Sequence, residues 1–419
     1  MLVKVKSLFK NKNSRNVIES FFSLIVLRGF QFIVPIITFP YLVRIIGIEK
    51  YGLVNFALSF GLYFSAIIQY GFSITATREI ARNRNDKLLV TQIYSQTLTA
   101  SLVLALLSSV IFIALVLMID RFYEYALLYF FTLGFVIFQN IFPVWFFQGM
   151  EKMRYITLLS LGTSILYLIT LLLFIRQESD YIYVPLLQLI SSFITFVFAV
   201  TLIKVRFNIG FCLPNFQSVQ RILVDGRDVF ISQLAPNLYN NSTTFLLGIY
   251  AGNTAVGLYS AANKLVNAVV SIGYIVSNAF LPYLSRSLAN HLIFQKIILV
   301  LGFVLFILVA VFSDFITLTL FGPEYPEIAT YIRWLSISVF FVFCGLCFGN
   351  NFLMIANHEK TAMRISLYIS LIFFVLANLI IPVIGIWGAI FTVLGARLMI
   401  ALLYYLFYLK VHVEVLNND

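Results

Sequence analysis

Apolar runs long enough to cross a lipid bilayer follow one another along almost the whole chain. A spanning helix needs about 20 mostly apolar residues, and twelve runs are of this kind. They cover residues 17–45, 53–75, 88–119, 126–148, 155–175, 184–203, 229–250, 259–283, 293–321, 328–355, 364–383 and 386–409. Of the 419 residues, 61% are hydrophobic and 11% charged, which excludes a water-soluble domain. The sequence therefore predicts an all-α polytopic membrane protein with twelve transmembrane helices.

Lysine and arginine are unevenly divided between the segments that join these runs. If the N-terminus is cytoplasmic, the segments on that side carry 20 of the 28 Lys and Arg residues, and the outer segments carry five. This asymmetry accounts for the formal charge of +11 without a nucleic-acid partner. We therefore expect both termini in the cytoplasm, together with the long loop at 204–228.

The two halves of the chain repeat a set of residues at a nearly constant offset. An even number of helices in each copy makes this a parallel repeat, with the two copies related about an axis along the membrane normal. We expect an N-terminal six-helix lobe at 1–203, a cytoplasmic linker at 204–228 and a C-terminal six-helix lobe at 229–419. The matches at offset 205 are Leu42, Gly47, Gly52 and Leu53 with Leu247, Gly252, Gly257 and Leu258, and at offset 210 Phe138, Asn140 and Phe142 with Phe348, Asn350 and Phe352.

The first run carries an arginine where a membrane helix accommodates one least well. Arg28 lies near the middle of the run, where its insertion costs about 3 kcal/mol. At helical spacing Gln31 and Pro35 share its face. Such a cation marks either a functional site or a snorkelling, ion-paired structural arginine. Pro35 and Pro40 are predicted to interrupt this helix and to form a hinge or gate.

Polar side chains continue on helices that hold corresponding places in the two halves. These faces predict a hydrated central cavity, whereas the alternative is direct hydrogen bonding between packed helices. The expected lining residues are Gln31, Asn55 and Ser59 in the first half, and Gln233, Asn237, Asn240, Asn241, Lys264 and Asn267 in the second.

The charges in or near the membrane are mostly positive. Arg28, Arg44, Lys264 and Arg397 have few acidic partners at matching depth, so the cavity is predicted to bind an anion. Phosphate suits arginine, whose planar fork donates two parallel hydrogen bonds. Coupling to a proton or sodium gradient would need an acidic group, and Asp314 is one of the few acids near a run.

The sequence contains no nucleotide-binding, metal or catalytic motif. Cys344 and Cys347 form a CxxC inside an apolar run with no histidine nearby in sequence, and we interpret them as packing residues. His291 is predicted to lie in a cytoplasmic loop. We therefore expect no enzyme activity, no metal and no cofactor.

Three segments resemble the O-antigen flippases, often called Wzx, of the multidrug/oligosaccharidyl-lipid/polysaccharide (MOP) exporter superfamily. They are FPYLVRIIGIEKYGLVNFALSF (39–60), GFSITATREIARNRND (71–86) and PVWFFQGMEKMRYIT (143–157). The resemblance implies a MATE-like pair of six-helix lobes in the bacterial inner membrane. It implies transport of an undecaprenyl-diphosphate-linked oligosaccharide repeat unit to the periplasmic leaflet by alternating access. It also implies substrate contacts by Arg28, Arg44, Lys264 and Arg397, and an O-antigen polymerase and chain-length regulator as partners.

Two other functions are compatible with parts of the pattern. A cation-coupled multidrug or small-molecule exporter of the same superfamily tends to carry an acidic residue in the first helix, where this chain has Arg28. A membrane-embedded glycosyltransferase or O-antigen polymerase would usually need a large external loop or a catalytic acidic motif, and the longest loop here is predicted to be cytoplasmic. The flippase is therefore the expected function, for O-antigen, capsule or another surface polysaccharide.

Overall fold

The computed structural model describes the backbone of residues 12–284, 291–356 and 358–418. It describes the side chains of residues 34–227, 229–231, 242–281, 284, 291–356 and 358–411. Across these ranges every regular element is a helix, as the hydropathy pattern predicts.

The helices are numbered in chain order. Those before residue 210 are α1 (Lys12–Gln69), α2 (Phe72–Asn83), α3 (Lys87–Met118), α4 (Asp120–Tyr123), α5 (Ala126–Ile141), α6 (Val144–Gly149), α7 (Met153–Phe174), a 3-10 turn (Glu178–Ile182) and α8 (Tyr183–Phe207). Those after it are α9 (Phe216–Leu284), α10 (His291–Val311), α11 (Ser313–Phe321), α12 (Glu327–Gly345), a π-helix (Leu346–Leu353) and α13 (Glu359–Asn418).

Nine of the helical segments in the described ranges are long and apolar enough to cross a membrane. Three of the nine contain a glycine with non-helical backbone angles, namely Gly47 in α1, Gly252 in α9 and Gly385 in α13. Each of these three helices covers two of the apolar runs found in the sequence. Nine segments with three internal breaks therefore accord with twelve spans, and the number twelve stays a prediction.

The break in α1 lies at Gly47 and not at the prolines. The φ and ψ angles remain helical through Pro35 and Pro40, so the expected interruption there is wrong. Proline removes one hydrogen bond but holds φ near the helical value. Gly47 has φ 72° and ψ 163°, a region that is essentially restricted to glycine. A gating role for the two prolines stays a prediction.

Contacts within the chain divide it into two compact units. The first comprises the described residues up to Thr38, Phe64–Ile175 and Ile182–Phe230. The second comprises Phe39–Tyr63, Arg176–Tyr181 and the residues from Ile231 onward. The segment Phe39–Tyr63 thus packs with the second unit, although it precedes residue 203 in the chain. The lobe and linker boundaries expected from the sequence stay predictions.

In the first unit, aromatic side chains hold the short helices against the long ones. The core contains Tyr94 of α3 and Phe146 of α6, whose rings meet edge to face at 5.6 Å. α7 and α8 are joined by a hydrogen bond of 2.6 Å between the hydroxyls of Thr163 and Thr195. An aromatic pair in this edge-to-face geometry is worth about 0.5 to 1.5 kcal/mol.

In the second unit, two glycines allow the start of one helical segment to touch the start of another. A Cβ on Gly52 would overlap the carbonyl oxygen of Asn253, and a Cβ on Gly257 would overlap the carbonyl oxygen of Ile48. The two contacts are related to each other by the offset of 205 residues, since Gly52 corresponds to Gly257 and Ile48 corresponds to Asn253. Gly252, at the same offset from Gly47, has φ 84° and ψ 177°. The reciprocal contact and the matching breaks support the predicted internal repeat.

Candidate functional site: a cationic cavity in the second unit

A cavity of about 630 Å³ lies among the helices of the second unit. Its size is in the range of sites that hold small molecules or part of a larger ligand. Four segments of helix line it: the part of α1 after Gly47, α9 on both sides of Gly252, the end of α12 with the π-helix, and α13. Of the expected site residues, the lining includes Asn55, Ser59, Lys264, Asn267 and Arg397.

Lys264 reaches the cavity from α9 and is held by neutral groups. Its Nζ donates a hydrogen bond of 2.8 Å to Oδ1 of Asn55. It also lies 5.0 Å from the centre of the Tyr51 ring, which is fully buried beside it. An amide oxygen and a ring face orient an ammonium group but leave its charge in place. Lys264 therefore brings an amino group to the cavity that neither of these contacts pairs with a carboxylate.

Arg397 reaches the cavity from α13 and is also held by neutral groups. Its Nη1 donates to Oγ of Ser338 at 2.7 Å, and its Nη2 donates to Oδ1 of Asn267 at 2.9 Å. Nδ2 of Asn267 in turn donates to Oδ1 of Asn263 at 3.2 Å. Because a guanidinium has five N–H donors, these two bonds leave three for a ligand or water. The bonds fix the plane of the guanidinium without neutralising it.

The two cations make the cavity electropositive. Among the described residues that line it there is no Asp or Glu. A buried or half-buried charge without a counter-ion is costly, and an anion that enters the cavity offsets that cost. The chemistry of this site is therefore anion binding by one ammonium and one guanidinium, supported by amides and hydroxyls.

Arg44 lies away from the cavity. Its Nε donates to the carbonyl oxygen of Leu320 at 2.7 Å, and its Nη2 donates to that of Thr319. These carbonyls end α11, whose last turn has no intrahelical partners and carries the negative end of the helix dipole. The structure therefore gives Arg44 the role of a cap on α11, and substrate contact by Arg44 stays a prediction.

The outer acid Asp314 has a partner that the sequence did not indicate. It accepts a hydrogen bond of 2.6 Å from Nη2 of Arg333, and both side chains are exposed. The two residues are 19 positions apart and lie in different helices, so helical periodicity could not predict the pair. Asp314 therefore has a structural explanation that is independent of gradient coupling.

Six expected site residues cannot be placed. The side chains of Arg28, Gln31, Gln233, Asn237, Asn240 and Asn241 lie outside the described residues. Their roles stay predictions.

The fold brings a histidine to the CxxC motif. Nε2 of His291 lies 3.0 Å from the carbonyl oxygen of Cys347, and the histidine ring packs at 4.9 Å from Phe352. This histidine is 56 residues from Cys347 in sequence, and it reaches the motif because α10 packs against the π-helix. His291 is 2% exposed and belongs to the start of α10. Within the described residues, no group of three or more His, Cys, Asp or Glu side chains could hold a metal ion.

Sequence reasoning missed the part of the cavity formed by the π-helix and α13. Asn350, Ser366, Ser370 and Tyr404 line it. One signal was available, because Arg397 and Tyr404 are seven residues apart and so lie on one helix face. The π-helix had no such signal, since its extra residue shifts every later side chain away from the α-helical register.

Comparison with known proteins identifies the family. A family model described as "Polysaccharide biosynthesis protein" matches residues 17–288, which is more than half of the chain. The chain belongs to this family. As a member of the polysaccharide biosynthesis protein family, it is 25% identical over 95% of its length to a protein of Escherichia coli (strain K12) named "Putative O-antigen transporter". It is 23% identical over 90% of its length to a protein of the same name from Shigella dysenteriae. The alignments cover 98% and 96% of those proteins.

Solved structures show the fold of this family member. An inward-facing multidrug resistance MATE family transporter of the MOP superfamily matches with a TM-score of 0.67. That match has 14% identity and covers 93% of this chain and 99% of the other. An outward-facing structure of such a transporter matches with a TM-score of 0.64 and 15% identity over 98% of both chains. The chain therefore has the helical fold of the MATE transporters, as the resemblance implied.

Proposed function

We propose that this protein is a flippase for a polyprenyl-diphosphate-linked oligosaccharide, carrying an undecaprenyl-linked O-antigen repeat unit from the cytoplasmic to the periplasmic leaflet of the inner membrane. The observation that carries the proposal is the cavity that holds Lys264 and Arg397 with no carboxylate among its described lining residues. The names of the relatives, which describe O-antigen transporters, support the same substrate class.

The charge of the cavity matches that of a diphosphate. Lys264 and Arg397 each have N–H groups that donate to no other described residue. Phosphate oxygens are good acceptors for such N–H groups. Each charge-assisted hydrogen bond is worth about 1.5 to 3 kcal/mol, so two cations supply enough affinity to draw a diphosphate out of the headgroup region. The polyprenyl chain would remain in lipid, where it costs nothing to solvate.

Translocation is proposed to follow alternating access. MATE transporters of the same fold have been solved in inward-facing and outward-facing conformations, which supports a cycle of this kind. The family, the relatives' names and the cavity all favour transport over an enzymatic reaction. A proton or sodium gradient is the proposed energy source, and both termini are proposed to be cytoplasmic.

A multidrug exporter is the second candidate, because the fold is shared with proteins of that function. Lys264 and Arg397 repel an organic cation, and Coulomb repulsion between unit charges 4 Å apart is about 4 kcal/mol at an effective dielectric constant of 20. The cationic cavity therefore favours the flippase.

The test is transport by the variants Lys264→Gln and Arg397→Gln in cells that lack the natural gene. The readout is the fraction of lipid-linked repeat unit that a membrane-impermeant reagent reaches from outside in spheroplasts. Each variant is expected to lower the outward-facing fraction about 10-fold or more at equal protein level. Matched controls are Lys360→Gln and Arg364→Gln, which remove exposed cations at the start of α13. Equal transport by cavity variants and controls would refute the proposal.

A further inference from the structure

The cavity has a second part that carries no charge. Along α9, Tyr274 is ten residues beyond Lys264, which corresponds to about 15 Å at a rise of 1.5 Å per residue. Along α13, Tyr404 is seven residues beyond Arg397, or about 10 Å. Both tyrosines line the same cavity as the cations. The cations therefore occupy one part of the cavity, and phenols, hydroxyls and an amide occupy the other.

The π-helix forms one wall of this neutral part. Its wide turns are marked by a bond in which the N–H of Met354 donates to the carbonyl oxygen of Gly349, five residues back, at 3.1 Å. Leu346 and Asn350 line the cavity, whereas the next residue, Asn351, is buried against α9. There Oδ1 of Asn351 accepts a bond of 3.1 Å from Ser277. Isolated π-turns are costly, and they occur frequently at functional sites.

Gly349 brings this wall close to Tyr404. A Cβ on Gly349 would overlap the Tyr404 ring, so a larger residue would push the π-helix away from α13. The Tyr404 hydroxyl is itself fixed, since it donates to the carbonyl oxygen of Ala362 at 3.1 Å and lies 2.6 Å from Oγ of Ser366. The neutral part of the cavity is therefore a built surface with oriented polar groups.

Asn350 differs from the residue that the internal repeat aligns with it. Asn140 is 7% exposed at the end of α5, its Oδ1 accepts a bond of 2.7 Å from Ser65, and its Nδ2 donates to the carbonyl oxygen of Val136 at 2.6 Å. Asn350 is half-buried, lines the cavity, and has no hydrogen bond of its side chain to another described residue. The second copy keeps an internal bond of this kind through the adjacent Asn351, which accepts from Ser277 of α9 as Asn140 accepts from Ser65 of α1. Asn350 is therefore an additional amide, and it lines the cavity.

We propose that Asn350, presented by the π-helix beside Tyr274 and Tyr404, forms a sugar-binding subsite that recognises hydroxyl groups of the oligosaccharide while the cations bind the diphosphate. This inference rests on the proposed function and adds a specificity-determining residue to it. A carboxamide both donates and accepts, so it can pair with two neighbouring hydroxyls of a pyranose. The tyrosines add a flat apolar face and a hydroxyl, which suits a sugar ring.

The experiment separates the sugar from the diphosphate. Purified full-length protein in proteoliposomes is given either the complete lipid-linked repeat unit or the same lipid diphosphate with a single sugar. Asn350→Ala is expected to lower translocation of the complete unit about 10-fold, the effect of about two lost hydrogen bonds, and to leave the single-sugar lipid within about twofold. Asn378→Ala, a half-buried amide in α13 outside the cavity lining, is the matched control.

Two further variants keep every outcome informative. Asn350→Leu keeps about the size of the side chain but removes its donors and its acceptor without adding charge, and it is expected to slow the complete unit more than the single-sugar lipid if Asn350→Ala fails to fold. Equal rates for both lipids, whether both normal or both reduced, would overturn the subsite. Lys264→Gln is expected to slow both lipids alike, so a failure of the proposed function would appear as normal rates for Lys264→Gln and is distinct from a failure of the subsite.

Discussion

Placing a carboxylate beside Arg397 tests whether its charge, and not only its shape, is what the cavity uses. Asn267→Asp replaces the amide NH2 group with an oxygen and keeps the size of the side chain. It puts a carboxylate oxygen where Oδ1 of Asn267 now lies, 2.9 Å from Nη2 of Arg397. The neighbouring Asn263, which now accepts from Asn267, can turn its amide to donate instead. The substitution therefore keeps the hydrogen-bonded network while adding one negative charge.

The magnitude follows from the geometry. Charge centres about 4 Å apart attract each other by about 4 kcal/mol at an effective dielectric constant of 20. This exceeds the roughly 1.5 to 3 kcal/mol of a charge-assisted bond from Arg397 to a phosphate. Arg397 is therefore expected to stay paired with the new carboxylate, and the cavity would lose one of its two free positive charges. Substrate affinity should fall about 10- to 100-fold.

The assay is binding of the lipid-linked repeat unit to detergent-solubilised protein, measured as Kd over a range of salt concentrations. Asn267→Asp should weaken binding and flatten its salt dependence, because fewer screened charges take part. Asn267→Ala, which removes the bond to Arg397 but keeps the charge, should weaken binding several-fold less. Equal affinities for the wild type and Asn267→Asp, or a larger loss in Asn267→Ala, would refute the charge argument.

Two further variants are expected to affect folding and not the site. Gly257→Ala should lower the melting temperature strongly in a thermal unfolding scan, because its Cβ would overlap the carbonyl oxygen of Ile48. The control Gly162→Ala should not lower it, because there is open space around Gly162. Similar melting temperatures for the two variants would contradict the reciprocal contact. Arg44→Gln should lower the free energy of unfolding by about 1 kcal/mol, because the cap on α11 is lost, and it should leave the Kd for the lipid-linked unit unchanged. A raised Kd at normal stability would instead assign Arg44 to the substrate site.

The hydropathy pattern predicted most of the fold because a bilayer imposes a simple rule on sequence. Every backbone group in hydrocarbon must find its partner within the chain, so long apolar runs become helices whatever their neighbours. Glycines were harder to interpret. Gly47 and Gly252 were evident as a repeated pair. The break in α1 was nevertheless predicted at the prolines, because proline is a common cause of sharp kinks. Only the backbone shows that the glycine takes an angle that no other residue adopts readily.

The site was predictable where its residues obey helical periodicity and hidden where they do not. Lys264 and Asn267 lie in one regular α-helix, so their spacing indicated a polar face. Arg397 was indicated as a cation within an apolar run and by the resemblance. Arg44 was expected at the site as a cation near the membrane, but its partners are backbone oxygens of α11, 275 and 276 residues away, and contacts to main-chain oxygens cannot be recognised in a sequence. Asn350 lies in the π-helix, which changes the register of the side chains that face the cavity. The repeat had identified Asn350 only as a residue that recurs in both halves. The effect of the changed register is visible in the two adjacent asparagines: Asn351 makes the bond to a serine that Asn140 makes in the first half, and Asn350 is left at the cavity.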